Sequence, residues 1–211
     1  MLEWIYRGLS KGRITTRYPS RAAHAPDGFD GRVTVLTESE REHHVATACR
    51  RGDIVVIAGA GAPLRTSAKG LRRSIHVRHI DCGSDGSEEW EIQALWNPFY
   101  DIQRLGVFLT NAPRHADVLL ATGPVTSPMR IPLERTWEVM PAPKVLVAVG
   151  DDACGIGPHS RERNGEQLTA GGVDRVLSVG VYVPGAPPPP IAIMQGLLLA
   201  AGVLTPEEVA A

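Results

Sequence analysis

The chain has 211 residues, a net charge of -1, 43% apolar residues and 21% charged residues, a composition that excludes the collagen-like, coiled-coil and intrinsically disordered classes. The near-neutral charge gives no reason to expect nucleic acid as a partner, and no apolar run reaches the roughly 20 residues of a membrane helix. Three widely spaced cysteines indicate a reducing, cytoplasmic compartment rather than a disulfide framework.

The first 52 residues predict an N-terminal appendage. They contain a basic arm, a loop rich in Pro, Gly and Asp at 19–31, and a charged, helix-like stretch at 38–51. We therefore divide the chain into a basic arm and appendage over 1–52 and a main domain over 53–211.

From residue 53 onward, short runs of Val, Ile and Leu recur, each followed by Gly, Asp or Pro. These runs predict strands at 53–60, 74–81, 106–110, 117–123, 144–150 and 175–181. Several are apolar at successive positions, which is typical of strands covered on both faces in a parallel sheet. Helices are predicted between the strands at 88–95, 129–140 and 190–202. An α/β fold with a doubly wound parallel sheet and helices on both faces follows.

Four loops are predicted to meet at one edge of this sheet, because ligands of open α/β sheets bind beyond the carboxyl ends of the strands. These loops are 81–87, 122–126, 150–159 and 183–190. The first and third hold residue types that bind divalent ions: Cys82, Asp85 and Glu88, then Asp151, Asp152, Cys154 and His159. Acids after strand ends also commonly cap helices or stay solvated, so a mixed metal site is the weaker interpretation.

Two other chemistries are rejected. Gly59 and Gly61 follow a strand and Asp81 lies at the spacing of a dinucleotide-binding motif, but Leu64 occupies the position of its third glycine. No G-x-S-x-G turn occurs, so nucleophilic hydrolysis is unsupported.

Several long stretches carry a family resemblance. They are NPFYDIQRLGV (97–107), PRHADVLLATGPVT (113–126), MRIPLERTWEVMPAPKVLVAVGD (129–151), GGVDRVLSVGVYVPG (171–185), IMQGLLLAAGVL (193–204) and the head RGLSKGRITTRYPSR (7–21). In these stretches the chain resembles the small subunit of energy-converting membrane-bound NiFe-hydrogenases and formate hydrogenlyases, which is similar to the B subunit of NADH-quinone oxidoreductase. The resemblance implies a flavodoxin-like domain whose four cysteines hold one 4Fe–4S cluster that passes electrons.

The four cluster-ligand positions of that family carry no cysteine in this chain. The resemblance places the first two ligands on Asp85 and Glu88, the third on Asp152, and the fourth on Ala186 in the stretch VPGAPPPP. Carboxylates and a methyl group do not replace soft thiolate donors, so no cofactor is predicted.

The acids of the vacated site then need an explanation. Their carboxylates could be hydrated, paired with Arg or Lys side chains, or bound to a hard ion such as Mg²⁺ or Ca²⁺. The candidate counter-charges are Arg114, Arg130, Arg161 and Arg163. A weaker metal set would combine acids with the nearby thiols: Cys82, Asp85, Glu88, Asp152 and Cys154.

The resemblance together with the missing cysteines predicts a non-catalytic subunit with a structural or docking role in a membrane-associated, hydrogenase-like or complex I-like oxidoreductase. Its partners would be a hydrogenase-type large subunit and membrane subunits, which would hold it peripherally at the inner face of the cell membrane. The candidate interface residues are Arg13, Thr15, Thr16, Arg17, Tyr18, Arg114, His115 and Asp117. Two alternatives stay open: electron transfer through a cluster with atypical ligands, and a cation or small-molecule sensor that uses the acidic pocket.

Overall fold

The computed structural model describes residues 6, 9–12, 32–64, 74–160 and 169–210. Within these ranges the chain forms a seven-stranded sheet. The strands are β1 Val33–Thr37, β2 Ile54–Ala58, β3 Ile75–Asp81, β4 Val107–Leu109, β5 Val118–Thr122, β6 Val145–Val149 and β7 Val181–Val183. The helices are α1 Arg41–Arg50, α2 Ser87–Ala94, α3 Arg130–Val139, α4 Pro190–Ala201 and α5 Pro206–Ala210.

The strands lie in the order β1-β2-β7-β6-β5-β3-β4. Taken alone, the five strands β3 to β7 are parallel and follow the order 2-1-3-4-5 that is typical of flavodoxin-like sheets. The predicted α/β, flavodoxin-like fold is confirmed. The chain order reverses between β3 and β5, which end at Asp81 and Thr122. A ligand site is expected beyond these two carboxyl ends.

Helices cover both faces of the sheet. Val145–Val149 is buried at every residue, as the apolar run predicts for a strand enclosed on both sides. One core cluster joins α2 and α4 to the sheet, and the other joins α1 and α3 to the opposite face. Helix α4 is buried along nearly its whole length, from Ile191 to Ala201, which explains why its sequence is apolar all round.

The structure corrects two strand predictions. The run 175–181 does not form a strand over its length, because a short 3-10 turn occupies Val173–Arg175 and β7 begins at Val181. At Gly180 the chain passes so close to Val145 and Ala60 that there is no space for a Cβ. The predicted strand at 53–60 forms β2, but it runs antiparallel to β7, so the sheet is mixed rather than wholly parallel.

The described part of the segment treated as an appendage lies in the sheet. Strand β1 pairs in parallel with β2, from Val33 opposite Ile54 to Thr37 opposite Ala58. The helix-like stretch at 38–51 forms α1, which buries Val45, Ala48 and Cys49. The chain therefore continues from β1 through α1 into β2 of the same sheet. Residues 13–31, which hold most of the basic arm and the loop rich in Pro, Gly and Asp, lie outside the described residues.

Candidate functional site

The four loops predicted to meet at the sheet edge do meet there, around a cavity of about 150 Å³. Asp85, Glu88, Asp152 and Ala186 all line it. The structure thus brings together the four positions that the family resemblance assigned to cluster ligands. Ser87, Gly123, Asp151, Pro158 and His159 complete the lining.

The first loop is closed by its own carboxylates. Asp81 Oδ1 accepts hydrogen bonds of 2.8 Å from the backbone N–H groups of Gly83 and Ser84. Asp85 Oδ1 accepts from the backbone N–H of Ser87 at 2.9 Å and from its hydroxyl at 2.6 Å, and these bonds lower the pKa of Asp85. At the first ligand position, a carboxylate therefore holds the start of α2.

Glu88 forms the buried floor of the cavity and is 6% exposed. Burial raises its pKa, hydrogen bonds from its own backbone N–H and the Ser87 hydroxyl oppose the rise, and the nearby carboxylates of Asp85 and Glu89 add to it. The side chain lies over Gly150, where φ is +96° and a Cβ would overlap the Glu88 carboxylate. This close approach explains why the residue after β6 is a glycine.

The third loop is held by two aspartates. Asp151 Oδ1 accepts a 2.7 Å hydrogen bond from the backbone N–H of Gly185, which ties this loop to the stretch VPGAPPPP. Asp152 Oδ1 accepts from the backbone N–H groups of His159 and Ser160 at 2.8 and 3.1 Å, and Oδ2 lies 2.9 Å from His159 Nδ1. At the third ligand position, the carboxylate is thus used to fold the loop.

The fourth position keeps a rigid backbone without a donor atom. Gly185 has a φ of +140°, and a Cβ there would lie 2.5 Å from Pro188 Cα. Ala186 follows at the exposed corner and presents a methyl group to the cavity. The corner that would direct a ligand is present, and its side chain cannot bind a metal.

The two cysteines of the weaker metal set lie away from the cavity. Cys82 is fully buried with Sγ 4.0 Å from the Ile80 carbonyl oxygen, and burial raises its pKa to about 12. Cys154 is 3% exposed with Sγ 3.7 Å from the Ala148 carbonyl oxygen, and burial raises its pKa as well. Both thiols pack in the core between the sheet and α1 and α3. Such thiols are inert rather than poised to bind metal.

The donor set does not fit a 4Fe–4S cluster, because no thiolate lines the cavity and one ligand position is a methyl group. Across the described ranges, no three His, Cys, Asp or Glu side chains form a group that could hold a metal ion. The acids Asp85, Glu88 and Asp152 share the cavity, while the cysteines do not.

Counter-charge does not come from the described arginines. Arg130 Nε lies 3.2 Å from Glu134 on its own helix, and Arg114 and His115 are exposed just before β5, at the opposite end of that strand from the cavity. Asp117, at the same end, accepts a 2.8 Å hydrogen bond from the His76 backbone N–H. The remaining candidates, Arg13, Thr15, Thr16, Arg17, Tyr18, Arg161 and Arg163, lie outside the described residues.

One polar cluster beside the cavity was not predicted. The Glu89 carboxylate accepts hydrogen bonds from the hydroxyls of Ser84 and the fully buried Thr122. His79 Nε2 lies 3.0 Å from the Thr122 hydroxyl and 3.4 Å from Glu89, and burial lowers the pKa of His79. This cluster ties the ends of β3 and β5 to α2. In the sequence, the polar Thr122 near the end of the apolar run DVLLATG could have indicated this cluster.

The chain is similar in sequence to a known protein family and to several known proteins. The sequence profile of the family described as NADH ubiquinone oxidoreductase, 20 kDa subunit, matches residues 85–200. Formate hydrogenlyase subunit 7 of Escherichia coli is 40% identical over 136 residues, which cover 64% of this chain and 52% of that subunit. The chain thus spans about half of that relative's length.

Two further similarities point the same way. A probable membrane-bound hydrogenase subunit of Pyrococcus furiosus is 41% identical over 132 residues, covering 63% of this chain and 77% of that one. A chain of an archaeal respiratory complex, the membrane-bound sulfane sulfur reductase, matches with a TM-score of 0.51 and 26% identity, over 62% of this chain and 73% of that chain.

Proposed function

The chain belongs to the family of the 20 kDa subunit of NADH ubiquinone oxidoreductase, and from this premise we propose that it is a cluster-free structural subunit. Its role is to dock a hydrogenase-type large subunit and membrane subunits in a hydrogenase-like or complex I-like assembly. One observation carries the proposal. The four ligand positions line one cavity, and three of them are carboxylates while the fourth is a methyl group.

The relatives support the docking role. The similar proteins of Escherichia coli and Pyrococcus furiosus are, by name, subunits of formate hydrogenlyase and of a membrane-bound hydrogenase. Within the described part of this chain, no helix combines the length and apolar character needed to cross a bilayer. In the proposed assembly, partner subunits attach this chain to the membrane.

The hydrogen bonds of the loops support a role without a metal. In a cluster-bearing subunit, metal–thiolate bonds fix the ligand loops. Here Asp85 and Asp152 accept five hydrogen bonds from their own loops, and Asp151 links the third loop to the fourth. Each such bond contributes about 0.5–1.5 kcal/mol. The loops can thus keep a docking shape without iron.

Purification with its genomic neighbours tests the proposal. The chain is expressed with the adjacent genes under anaerobic conditions, and the subunits that copurify are identified by mass spectrometry. We expect a large subunit and membrane subunits in the same particle. A monomeric chain with no such partner would contradict the docking role.

Iron and acid-labile sulfide analysis of the anaerobically prepared chain tests the second half of the proposal. We expect neither element in stoichiometric amounts. A stoichiometric brown cluster, whether held by Cys82 and Cys154 or by a cysteine of a partner, would replace the structural role by electron transfer.

A further inference from the structure

Among the described strands, β1 and β4 form the two edges of the sheet, and they differ in how they are protected. Strand β4 is only three residues long, Val107–Leu109, and such short edges resist pairing with another chain. Strand β1, Val33–Thr37, has five residues, four of them β-branched, and it contains no proline and no charged residue. The β1 strand thus lacks the features that protect an edge against pairing.

The hydrogen bonds of β1 determine which of its backbone groups face away from the sheet. The Arg32 carbonyl oxygen accepts a 2.9 Å hydrogen bond from the Ile54 N–H, which fixes the phase of the parallel ladder between β1 and β2. Alternate residues of such a strand bond to its neighbour, so Thr34 bonds to β2. Val33 and Val35 direct their N–H and C=O groups to the open side, and within the described residues no other hydrogen bond uses these groups.

Apolar surface accompanies these backbone groups. Val35, at the middle of the strand, is 50% exposed although its side chain is apolar. Open backbone groups beside an exposed β-branched side chain are the usual template for adding a further strand. Residues 33–37 lie outside the stretch 85–200 that matches the family profile, so the match does not account for this edge.

The charges at the two ends of β1 are complementary under a two-fold rotation. Arg32 precedes the strand and Glu38 follows it, at the same separation from Val35 along the chain. In an antiparallel pair of β1 strands centred on Val35, each Arg32 lies opposite Glu38 of the other copy. Opposite charges at such positions stabilise a strand pair, and they favour this register.

Helix α1 carries the same pattern beside the strand. A groove of about 260 Å³ lies between β1 and α1, with Glu40 at the N-terminal end of the helix and Arg51 at its C-terminal end. The Arg51 side chain is 56% exposed. The rotation that pairs the strands also sets the two α1 helices antiparallel, so Glu40 of each copy faces the Arg51 end of the other. The strand and the helix therefore favour the same two-fold arrangement.

We propose that β1 pairs antiparallel with β1 of a second copy of this chain, which joins the two sheets across a two-fold axis at Val35. The Val35 N–H of each copy donates to the Val35 carbonyl oxygen of the other. The Val33 N–H donates to the Thr37 carbonyl oxygen, which accepts from the Glu40 N–H through one lone pair and keeps the second. The pairing covers the two exposed Val35 side chains. The inference does not rest on the proposed docking function.

Sedimentation velocity of the isolated full-length chain over a concentration series tests the proposal. We expect a dimer with twice the chain mass of 22.7 kDa. Val35→Lys should weaken dimerisation about tenfold or more, because it places two like charges opposite each other on the axis. Leu109→Lys is the matched control, since Leu109 is 48% exposed on the other edge strand, and this variant should dimerise as the wild type does.

A mixture of two variants tests the two-fold arrangement itself. Val35→Lys and Val35→Glu should each be monomeric alone and should form a mixed dimer when combined, because a lysine then faces a glutamate across the axis. Both variants should stay folded, since the side chain is half exposed, and far-UV circular dichroism with thermal unfolding checks this.

Four results would overturn the proposal. They are a wild-type chain that stays monomeric throughout the concentration series, equal dimerisation of wild type and Val35→Lys, no mixed dimer of the folded Lys and Glu variants, and loss of the dimer in Leu109→Lys. The last result would assign the contact to β4. Because the isolated chain is used, failure of the docking function would leave this measurement unchanged.

Discussion

Restoring the four cysteines should restore a cluster. The perturbation is the quadruple variant Asp85→Cys, Glu88→Cys, Asp152→Cys and Ala186→Cys, which places a thiol at every ligand position around the cavity. Since the four loops already converge there, we expect this variant to bind one 4Fe–4S cluster on anaerobic reconstitution. The wild-type chain should bind none.

The cost of the substitutions follows from the hydrogen bonds that they remove. Asp152 is 18% exposed and accepts three hydrogen bonds. At about 1 kcal/mol each, they contribute about 3 kcal/mol to the free energy of unfolding. The two bonds to the exposed Asp85 contribute about 1 kcal/mol together. Replacing Glu88, a buried carboxylate, should raise the free energy of unfolding by about 1 kcal/mol. Without iron, the variant should be about 3 kcal/mol less stable than the wild type.

Two measurements check this reasoning. Iron and sulfide analysis with electron paramagnetic resonance reports the cluster, and urea unfolding of the metal-free variant reports the loss of stability. The matched control is the triple variant that keeps Ala186, which should take up little or no stable cluster. A folded quadruple variant that binds no iron would refute the claim that the loops keep the shape of a ligand site.

Three further changes test the loops individually. An acid whose pKa is raised in the folded chain binds its proton more tightly there than in the unfolded chain. Its contribution to the free energy of unfolding is therefore present at low pH and is lost as pH rises above the ordinary glutamate value of about 4.3. Because burial raises the pKa of Glu88, urea unfolding of the wild type should show a larger loss than Glu88→Gln, which keeps the contribution of Asp174; equal pH profiles would contradict the burial argument. Asp151→Ala should cost about 1.5–3 kcal/mol by removing a charged acceptor from the Gly185 N–H, and a change below about 0.5 kcal/mol would show that this link is unimportant. Gly150→Ala should cost about 2 kcal/mol, because it meets the Glu88 carboxylate at a positive φ, and less in a Glu88→Ala background; purely additive free energies of unfolding would rule out the overlap.

Much of the fold can be predicted from the sequence, because enclosed parallel strands leave a local signature. The runs at 117–123 and 144–150 are apolar at successive positions and form β5 and β6 at the centre of the sheet. Strand direction has no such signature. Whether β2 runs parallel or antiparallel to β7 depends on how the chain returns to the sheet. The residue pattern of the run DIVVIAGA is compatible with either direction.

The site was partly predictable for a similar reason. The convergence of Asp85, Glu88, Asp152 and Ala186 follows from the strand order and the family resemblance, and all four line one cavity. The partners of the acids could not be predicted, because they are backbone N–H groups and short-range hydroxyls whose direction depends on loop conformation. Arginine was one of the expected partners of these acids, whereas the described chain uses its own loop amides.

The hydrogen bonds of the described residues agree with the remodelled site that we propose. If the cysteines had been lost without other changes, we would expect buried polar atoms without hydrogen-bond partners in the loops around the former metal site. Among the described residues, the buried side-chain atoms without a partner belong to Asp53, Arg78 and Gln195, and none of these residues lines the cavity. The free carboxylate oxygens of the cavity instead face open space of about 150 Å³. The first and third loops close on their own acids, and Asp151 of the third loop holds the fourth, as the proposed iron-free role requires.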